Sequence, residues 1–565
     1  MKRENLIKMK HKIIIIFLFV SCNLQFTTKC FSQNWEWSAV IQSSDYFQPV
    51  AFSIDKNKNS YIGSHFRNMV VPITLPSNGY NDAFIAKYDA SGSLVWIKDF
   101  GSYNPYPTSQ NLSAYSEEVY VLHVDTMNNY LFAAGFFYNT TQFGSFTLTS
   151  FTPNTGSSFI LKMDFDGNIL WAKRTKGYIS GMATDDTGNL FFCGLSSATV
   201  ILDSTCTFAP CGFVAKINPD GNFLWGKNIF KKTTNSFEFS PYGGIKTINS
   251  GIIINGYTNN DTITIDTIVR YVPVNTKWSA LTCLDFNGNA KWLSLYGGNS
   301  SESGFGFSID SNGNSYTTGY FTGTGYFDDD TLIAATSLQN MYLAKHDSMG
   351  HLLWAKHANT SNSNGICVSN VVDSTLYVTG WFKGTAYFND SITAGTAQDM
   401  FVAKYNTNGV CFGANNFGKA SGVKVVQDND NAAYCSGLYN LNITIGNNSH
   451  TCYGNYNGCE NIFLAKLTGT TGIGEKNMLL PMGSLLTIYA NPNTGKCDIA
   501  IPEEFRNEKN LILKIYDLQG KEIQQAKIEM FENKIKLNIE AEAKGVYNVI
   551  LTNGKKNYSG KIIFE

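Results

Sequence analysis

Short runs in which apolar and polar positions alternate occur along most of the chain, and turn-forming residues separate them. The runs are rich in Phe, Tyr, Val and Ile, which favour strands, and the separators are rich in Gly, Asn and Asp. Glycine is abundant, at 50 residues, whereas proline is scarce, at 13. Long helical periodicities are missing. The pattern therefore predicts an all-β protein made of many short strands.

One short motif recurs seven times, as an aromatic residue, an aliphatic residue, Ala and Lys, with two degenerate copies. The copies are residues 84–87, 159–162, 213–216, 280–283, 342–345, 401–404 and 463–466. A strand that ends in glycine precedes each copy, at Gly63, Gly135, Gly194, Gly256, Gly319, Gly380 and Gly437. Each repeat thus holds four strands over roughly 45 to 75 residues, the size of one β-propeller blade. We predict a seven-bladed β-propeller over residues 33–467.

The fourth strand of each repeat carries a large aromatic residue, except in the last repeat. Those residues are Trp96, Trp171, Trp225, Trp292, Trp354 and Phe412. An orphan strand of the same type stands ahead of the first repeat and contains Trp35 and Trp37. We expect this strand to complete the last blade, because the pairing closes the ring and removes two exposed strand edges.

The repeats resemble bacterial propeller repeats of the SBBP kind over residues 36–467. The features that carry the resemblance are the hairpin, the Phe-x-Ala-Lys strand and the Gly-x-Leu-x-Trp strand. The resemblance implies a fold and leaves the function open, since propellers carry out many unrelated activities.

The first 32 residues have the features of a secretory signal peptide. Basic residues precede an unbroken apolar run from Ile13 to Val20, which is too short to cross a bilayer. The predicted cleavage follows Ser32; the alternative is a lipoprotein signal in which Cys22 is acylated. No later stretch is apolar enough for a transmembrane helix, and the sequence predicts none in the mature chain.

A linker at residues 468–485 precedes a separate C-terminal unit at residues 486–565, whose short alternating runs predict a small β-sandwich. Its ordered motifs resemble the type A C-terminal sorting domain of the type IX secretion system. The matching residues are Asn491, Pro492, Gly495, Asp517, Gly520, Gly545, Tyr547 and Lys561. The resemblance implies a bacterium of the Bacteroidota and partnership with the type IX machinery and its sortase. It also implies a product that is released or attached to surface lipopolysaccharide.

Charge and cysteine content narrow the chemistry. The net charge is −1 and charged residues make up 15%, so the chain has no basic field for nucleic acid. Export permits disulfides, and two local pairs fall in loops: Cys206 with Cys211, and Cys452 with Cys459. The remaining cysteines in strand-like runs are expected to be small buried apolar residues.

No catalytic, metal or cofactor motif is present in the sequence. Turns such as residues 164–168 and 310–314 are rich in calcium-type ligands, but hairpin geometry explains them, and we expect solvation for the carboxylates of residues 328–330. The histidines at 346, 351 and 357 flank one strand pair and are expected to spread over different faces. Glu117, Glu118 and Glu302 precede inner strands and could supply paired carboxylates for glycoside chemistry; we expect them to be solvated charges.

Two long loops hold clusters of aromatic residues that suit stacking on sugars or a protein hot spot. The candidate ligand-binding residues are Tyr103, Tyr106, Tyr115, Phe237, Phe239 and Tyr242. The sequence thus predicts a secreted or surface-bound propeller that binds an unidentified glycan or protein without catalysis. The alternatives are a secreted polysaccharide hydrolase or lyase, and a structural surface scaffold.

Overall fold

A computed structural model shows how the chain folds. It describes residues 33–43, 50–78, 81–101, 117–152, 156–196, 199–202, 206–208, 210–233, 236–237, 240–258, 262–272, 276–298, 302–327, 330–334, 338–388, 391–395, 398–453, 461–469, 486, 488–489, 494–506, 508, 510–516, 522–528, 534–542, 544–553 and 557–564. These residues are almost entirely in strands, turns and bends, so the prediction of an all-β protein is confirmed. Within this part of the chain we find no helix with the length and apolarity needed to cross a membrane. The signal peptide predicted for residues 1–32 lies outside the described residues.

The chain divides into two compact units, residues 1–469 and 470–565. The strands of the first unit are β1 (Gln33–Ser43), β2 (Ala51–Ile54), β3 (Ser60–Phe66), β4 (Met69–Val71), β5 (Asp82–Tyr88), β6 (Leu94–Phe100), β7 (Glu118–Asp125), β8 (Tyr130–Phe137), β9 (Thr140–Phe143), β10 (Phe146–Thr149), β11 (Ser157–Met163), β12 (Ile169–Thr175), β13 (Tyr178–Thr184), β14 (Leu190–Ser196), β15 (Val200–Ile201), β16 (Thr207–Phe208), β17 (Cys211–Ile217), β18 (Phe223–Thr233), β19 (Ser236–Phe237), β20 (Ser240–Ile248), β21 (Gly251–Thr258), β22 (Thr262–Ile265), β23 (Ile268–Tyr271), β24 (Trp278–Leu284), β25 (Ala290–Gly298), β26 (Glu302–Ile309), β27 (Ser315–Phe321), β28 (Thr324–Phe327), β29 (Asp330–Ile333), β30 (Asn340–His346), β31 (Leu352–His357), β32 (Asn359–Val368), β33 (Thr375–Tyr387), β34 (Ser391–Thr393), β35 (Asp399–Asn406), β36 (Cys411–Gly418), β37 (Ala420–Gln427), β38 (Ala433–Tyr439), β39 (Asn442–Ile445), β40 (Asn448–Thr451) and β41 (Asn461–Gly469).

Most of these strands belong to antiparallel sheets that share one four-strand plan. Six sheets follow the chain order: β2-β3-β5-β6, β7-β8-β11-β12, β13-β14-β17-β18, β20-β21-β24-β25, β26-β27-β30-β31 and β32-β33-β35-β36. One further sheet has the order β37-β38-β41-β1, so its fourth strand comes from the beginning of the unit. We number the sheets one to seven in this order. Between their second and third strands most sheets carry a short extra hairpin, such as β9-β10 and β22-β23.

The first strands of successive sheets pack against one another. Contacts run from β2 to β7, then to β13, β20, β26, β32 and β37, and β37 in turn contacts β2. Glycine allows the close approach: an added Cβ at Gly181 would lie 2.6 Å from the Cα of Gly244 in the next sheet, and one at Gly306 would lie 2.8 Å from the Cα of Cys367. The succession of first strands therefore returns from sheet seven to sheet one.

Apolar clusters fill the spaces between neighbouring sheets. All residues of β3 and of β11 are buried, because another sheet covers each face of these inner strands. One cluster joins sheet seven to sheet one and includes Trp37, Ile41, Phe52, Ile62 and Tyr434. Inner strands such as β3 and β11 are thus buried along their whole length although they include polar residues, and alternating burial marks the exposed hairpins, such as β9.

β1 pairs antiparallel with β41 along nearly its full length, from Gln33 opposite Gly469 to Ile41 opposite Ile462. The register shifts between Trp35 and Trp37, which marks a β-bulge. β41 extends to Gly469, so the first two residues that we assigned to the linker from the sequence belong to this strand.

Six indole N–H groups of the fourth strands each donate to a backbone carbonyl in the turn between the third and fourth strands of the next sheet. The Nε1-to-O distances are 3.1 Å for Trp96 to Phe165, 3.1 Å for Trp171 to Pro219, 3.2 Å for Trp225 to Phe286, 3.1 Å for Trp292 to Ser348, 3.2 Å for Trp354 to Thr407 and 3.0 Å for Trp37 to Ala90. Trp37 of β1 therefore makes between sheets seven and one the same contact that the other tryptophans make elsewhere.

The repeated Lys and Gly residues complete this contact. Lys87 Nζ donates to the carbonyl of Phe165, which the indole of Trp96 also contacts, at 2.9 Å. The turn glycine packs against the indole face at a positive φ, for example Gly92 at +82°, where an added Cβ would lie 2.6 Å from the ring of Trp37. Only glycine combines this backbone conformation with such close packing. The sequence motif thus encodes contacts between sheets.

The second unit contains two sheets. Its elements are β42 (Ile488–Tyr489), β43 (Lys496–Ala500), a 3-10 helix (Glu503–Phe505), β44 (Leu511–Tyr516), β45 (Glu522–Ile528), β46 (Lys534–Asn538), β47 (Gly545–Thr552) and β48 (Asn557–Phe564). One sheet has the order β42-β43-β46 and the other has the order β45-β44-β47-β48. Residues such as Ile499, Leu513 and Val549 form a core of their own. The alternating burial of β44 and β46 matches the pattern read from the sequence.

Candidate functional site

The first strands of the seven sheets enclose a cavity of about 470 Å³ in the first unit. Its wall includes residues of β2, β7, β13, β20, β26, β32 and β37, and we call it the central channel. Small residues such as Ala51, Gly181 and Gly306 alternate in the wall with larger apolar and polar side chains, such as Phe307 and Asn370. Against this background the few charged side chains determine the chemistry of the channel.

Two lysines on opposite sheets contribute positive charge to the channel wall. Lys246 lies on β20 and Lys424 lies on β37. The side chain of Lys246 is exposed to the interior of the channel, but the surrounding walls reduce its hydration, which lowers its pKa, and the charge of Lys424 lowers the pKa further. Among the described residues, no carboxylate is within ion-pair distance of either ammonium group. The sequence analysis missed both residues; the available signal was a single Lys in an otherwise small and apolar first strand.

His123 lies in the same wall, next to Lys246. Its Nε2 is 2.9 Å from Oγ1 of Thr184. Burial, together with the nearby charge of Lys246, lowers the pKa of His123 to about 4. The imidazole is therefore neutral near pH 7 and adds polarity without charge.

The carboxylates of the channel wall organise turns at the ends of the first strands. Asp55 accepts hydrogen bonds from the backbone N–H groups of Asn57 and Asn59 at 2.8 and 2.9 Å. Asp428 accepts in the same way from Asp430 and Ala432, both at 2.9 Å. Each carboxylate thus holds its own turn through Oδ1, and Oδ2 of Asp428 lies 3.9 Å from Nζ of Lys58.

Two carboxylates that we considered for glycoside chemistry are less exposed than predicted. Glu117 is 1% exposed, so the prediction that it is a solvated charge is wrong. Glu118 begins β7, its Oε1 is 3.7 Å from His65 Nδ1, and burial raises its pKa. The packing of β7 against β2 and β3 covers this strand end. The side chain of Glu302 is outside the description.

The two aromatic loops that we predicted as ligand-binding cannot be compared with the structure. Tyr103, Tyr106, Tyr115 and Phe239 lie outside the described residues, as do residues 328–329 of the acidic run. For Phe237 in β19 and Tyr242 in β20, the structure describes the backbone only. Their role in binding stays a prediction.

The Asp-rich turns are explained by their own hydrogen bonds. Asp164 accepts from the backbone N–H groups of Asp166 at 3.0 Å and Asn168 at 2.8 Å, and Asp310 does the same within its turn. Burial would raise the pKa of Asp164, but these hydrogen bonds outweigh it and lower the pKa. Among the residues that the structure describes, no three His, Cys, Asp or Glu side chains form a group that could hold a metal ion.

The three histidines of sheet five have different environments, as expected. His346 is 1% exposed and its ring lies 4.9 Å from that of Tyr296, whereas the side chain of His351 is 75% exposed and pairs with Asp347. His357 is 5.9 Å from the ring of Phe321. The three side chains therefore do not form one site.

Burial of His346 predicts a pH dependence of stability. Burial lowers its pKa to about 4, so the unfolded chain binds a proton near pH 6.5 that the folded chain does not bind. The contribution of His346 to the free energy of unfolding is therefore complete above about pH 6.5 and decreases as the pH falls toward 4. Between pH 7 and pH 4.5, the free energy of unfolding of the wild type should therefore decrease by about 2 kcal/mol more than that of His346→Leu. Urea unfolding across this pH range measures it; equal pH slopes in both proteins would contradict the assignment.

The cysteines follow the sequence prediction only in part. Cys193, Cys283, Cys411 and Cys435 are buried, and Cys367 is half-buried in the channel wall. For the predicted disulfides, Cys459 and the side chain of Cys211 are outside the description. Both pairings, Cys206 with Cys211 and Cys452 with Cys459, remain predictions.

Part of the C-terminal motif is visible in the second unit. Gly495 has a φ of +98° immediately before β43, and an added Cβ there would lie 2.7 Å from Glu540, so a tight turn requires glycine. Gly545 and the buried Tyr547 lie in β47, opposite Phe564 and Ile562 of β48. Lys561 lies in β48, of which only the backbone is described there. Asn491, Pro492, Asp517 and Gly520 are outside the described residues.

The comparisons agree with this account of the second unit. Residues 487–565 match the family of the Secretion system C-terminal sorting domain. The chain therefore carries a type IX sorting domain, and its destination is the cell surface or the medium.

Relatives of the first unit are distant. An uncharacterized WD repeat-containing protein, L264, from Acanthamoeba polyphaga mimivirus is 23% identical over 420 residues, which are 66% of this chain. The chain spans 27% of the length of that relative.

Solved structures show only faint likeness. The phage phi92 endosialidase has a TM-score of 0.35 at 10% identity, with 94% of this chain and 88% of that chain covered. The apocarotenoid oxygenase of Synechocystis has a TM-score of 0.34 at 9% identity, with 89% and 96% covered. A protein of unknown function from Bacteroides caccae has a TM-score of 0.31 at 10% identity, with 59% and 89% covered. Likeness at this level carries no argument about the function of this chain.

Proposed function

We propose that the first unit is a seven-bladed β-propeller, closed by β1, that the type IX system exports as a non-enzymatic binding module for a glycan or protein. The observation that carries the proposal is the succession of first strands around one channel, within a chain that also has a sorting domain. The succession of four-strand sheets, each in contact with the next, supports the propeller architecture. A source in the Bacteroidota and partnership with surface lipopolysaccharide belong to the same proposal.

Binding is favoured over hydrolysis by the state of the channel carboxylates. General acid–base cleavage of a glycoside needs two carboxyl groups a few ångströms apart, one on each side of the bond. Asp55 and Asp428 instead accept backbone hydrogen bonds within turns. A module whose ligand contacts a rigid ring and its loops needs no such pair.

Arrays of glycans and of extracellular proteins, probed with the purified full chain, test this function. We expect saturable binding to at least one class of ligand, without release of products from that ligand over many hours. Heat-unfolded protein is the control, since it keeps the composition and loses the ring. Product release with turnover would replace the proposal with a polysaccharide hydrolase or lyase. Absence of binding on every array would leave a structural scaffold as the better interpretation.

A further inference from the structure

We propose that the central channel binds a small oxyanion, such as the carboxylate of an acidic sugar or inorganic phosphate, between Lys246 and Lys424. The inference rests on the closed ring proposed above, because β20 and β37 face a common channel only if the sheets surround it.

The placement of the two lysines is the first argument. They come from sheets four and seven, which lie across the channel from each other in the succession of seven, and both line the same cavity. Both side chains can be reached from the channel, since Lys246 is exposed and Lys424 is half-buried. A ligand between them would contact both ammonium groups at once.

The lack of compensating charge is the second argument. Two ammonium groups that face one channel repel each other unless a negative charge offsets them. Lys58, which also lines the channel, has carboxylate partners, because it pairs with Asp430 and lies 3.9 Å from Asp428. Among the described residues Lys246 and Lys424 have none, and the acids of the channel wall serve turns. An oxyanion would provide the missing charge and accept hydrogen bonds from both ammonium groups.

Neighbouring polar groups and size define the class of ligand. The neutral imidazole of His123 and the thiol of Cys367 line the same channel and can contact hydroxyl groups. The volume of about 470 Å³ falls in the range of roughly 300–1,000 Å³ that is common for small-molecule sites. A monosaccharide acid or a phosphate fits this volume.

Calorimetric titration of the purified full chain tests the inference, in buffer free of phosphate and at low salt. The probes are D-galacturonate, inorganic phosphate and, as neutral control, D-galactose. We expect saturable binding of at least one anion and none of galactose. Lys246→Met and Lys424→Met should each weaken anion binding at least about tenfold, and Lys424→Arg, which keeps the charge, should retain it. Lys356→Met removes an exposed lysine of β31 and should leave binding unchanged.

The titrations with galacturonate and with phosphate distinguish the two sources of the anion. Binding of galacturonate with little affinity for phosphate supports an acidic sugar, and the reverse supports free phosphate; either result supports the oxyanion site. Binding of neither anion at up to about 10 mM, or equal binding by wild type and by both methionine variants, would overturn the inference. Far-ultraviolet circular dichroism and the Tm of each variant show that the fold is retained.

Failure of this inference can be distinguished from failure of the proposed function. If the channel binds no anion while the arrays show a macromolecular ligand, the proposed binding function is supported and the proposed channel site is refuted. If the channel binds an anion and the arrays show no ligand, the proposed channel site is supported and the proposed binding of a glycan or protein is refuted.

Discussion

Replacing Trp37 with alanine should lower the free energy of unfolding of the first unit by about 3–5 kcal/mol. The ring is 9% exposed, packs with Tyr434 and the other residues between sheets seven and one, and donates to Ala90 at 3.0 Å. The substitution leaves a large cavity and an unsatisfied carbonyl at the junction of β1 with the turn between β5 and β6 of sheet one. Urea unfolding of the full chain, followed by tryptophan fluorescence and circular dichroism, measures the loss.

Trp96→Ala is the matched control, because Trp96 makes the same contact between sheets one and two. Losses of similar size in both variants would show that the junction formed by β1 is equivalent to the junctions within the repeats. Trp37→Phe keeps most of the packing and removes the N–H, and should cost about 1 kcal/mol from the hydrogen bond in addition to the loss of ring area. If Trp96→Ala destabilises the protein while Trp37→Ala does not, β1 contributes nothing to closure. Deletion of residues 34–41 should then be harmless, whereas we expect it to open the ring.

A chain that lacks residues 487–565 should stay inside the cell envelope, whereas the full chain reaches the surface or the medium. The sorting domain is the part of the chain that the type IX machinery recognises, so its loss removes the address and leaves the first unit intact. Immunoblotting of the medium, the surface fraction and the periplasm measures the distribution. The intact mass of the exported product tests whether the signal and roughly the last 80 residues are removed, as the resemblance to sorting domains implies.

Point variants separate recognition of the folded unit from mere length. Val549→Asp places a charge in the core of the second unit, where the side chain is fully buried, and should retain the protein as strongly as the deletion does. Lys536→Gln changes an exposed position on β46 and should leave export at the level of the full chain. Export of the truncated chain at the normal level would mean that another segment carries the address.

The repeat architecture could be predicted from the sequence because each contact that defines it lies in a short local motif. The Trp, the Lys and the turn Gly of the motif each make a repeated contact with the neighbouring sheet, so selection for that contact leaves a visible period. The seventh repeat lacks a fourth strand with a large aromatic residue, and this gap, together with an orphan tryptophan strand, was enough to predict the pairing of β1 with β41, which the strand register confirms.

The channel chemistry could not be predicted in the same way. Lys246 and Lys424 are far apart in sequence and share no motif, and only the arrangement of sheets four and seven brings them to one cavity. Glu117 was expected to be a solvated charge because it precedes an inner strand, but it is 1% exposed, and its backbone N–H donates to the carbonyl of Asn81 in sheet one. Burial by a neighbouring repeat is a long-range effect, and a local pattern does not contain it.

The pairing of Gln33 with Gly469 also governs when the first unit can fold. Six sheets are built from consecutive segments and can form as the chain is synthesised, but the seventh needs both ends of the unit. Until β41 has been synthesised, β1 must remain unpaired with it while the other six sheets are made. β41 is the last strand of the first unit to be made, and the sorting domain follows it along the chain from residue 487. A chain whose synthesis stops before β41 therefore lacks both the partner of β1 and the sorting domain, so a product that is incomplete in this way has no signal for delivery to the cell surface.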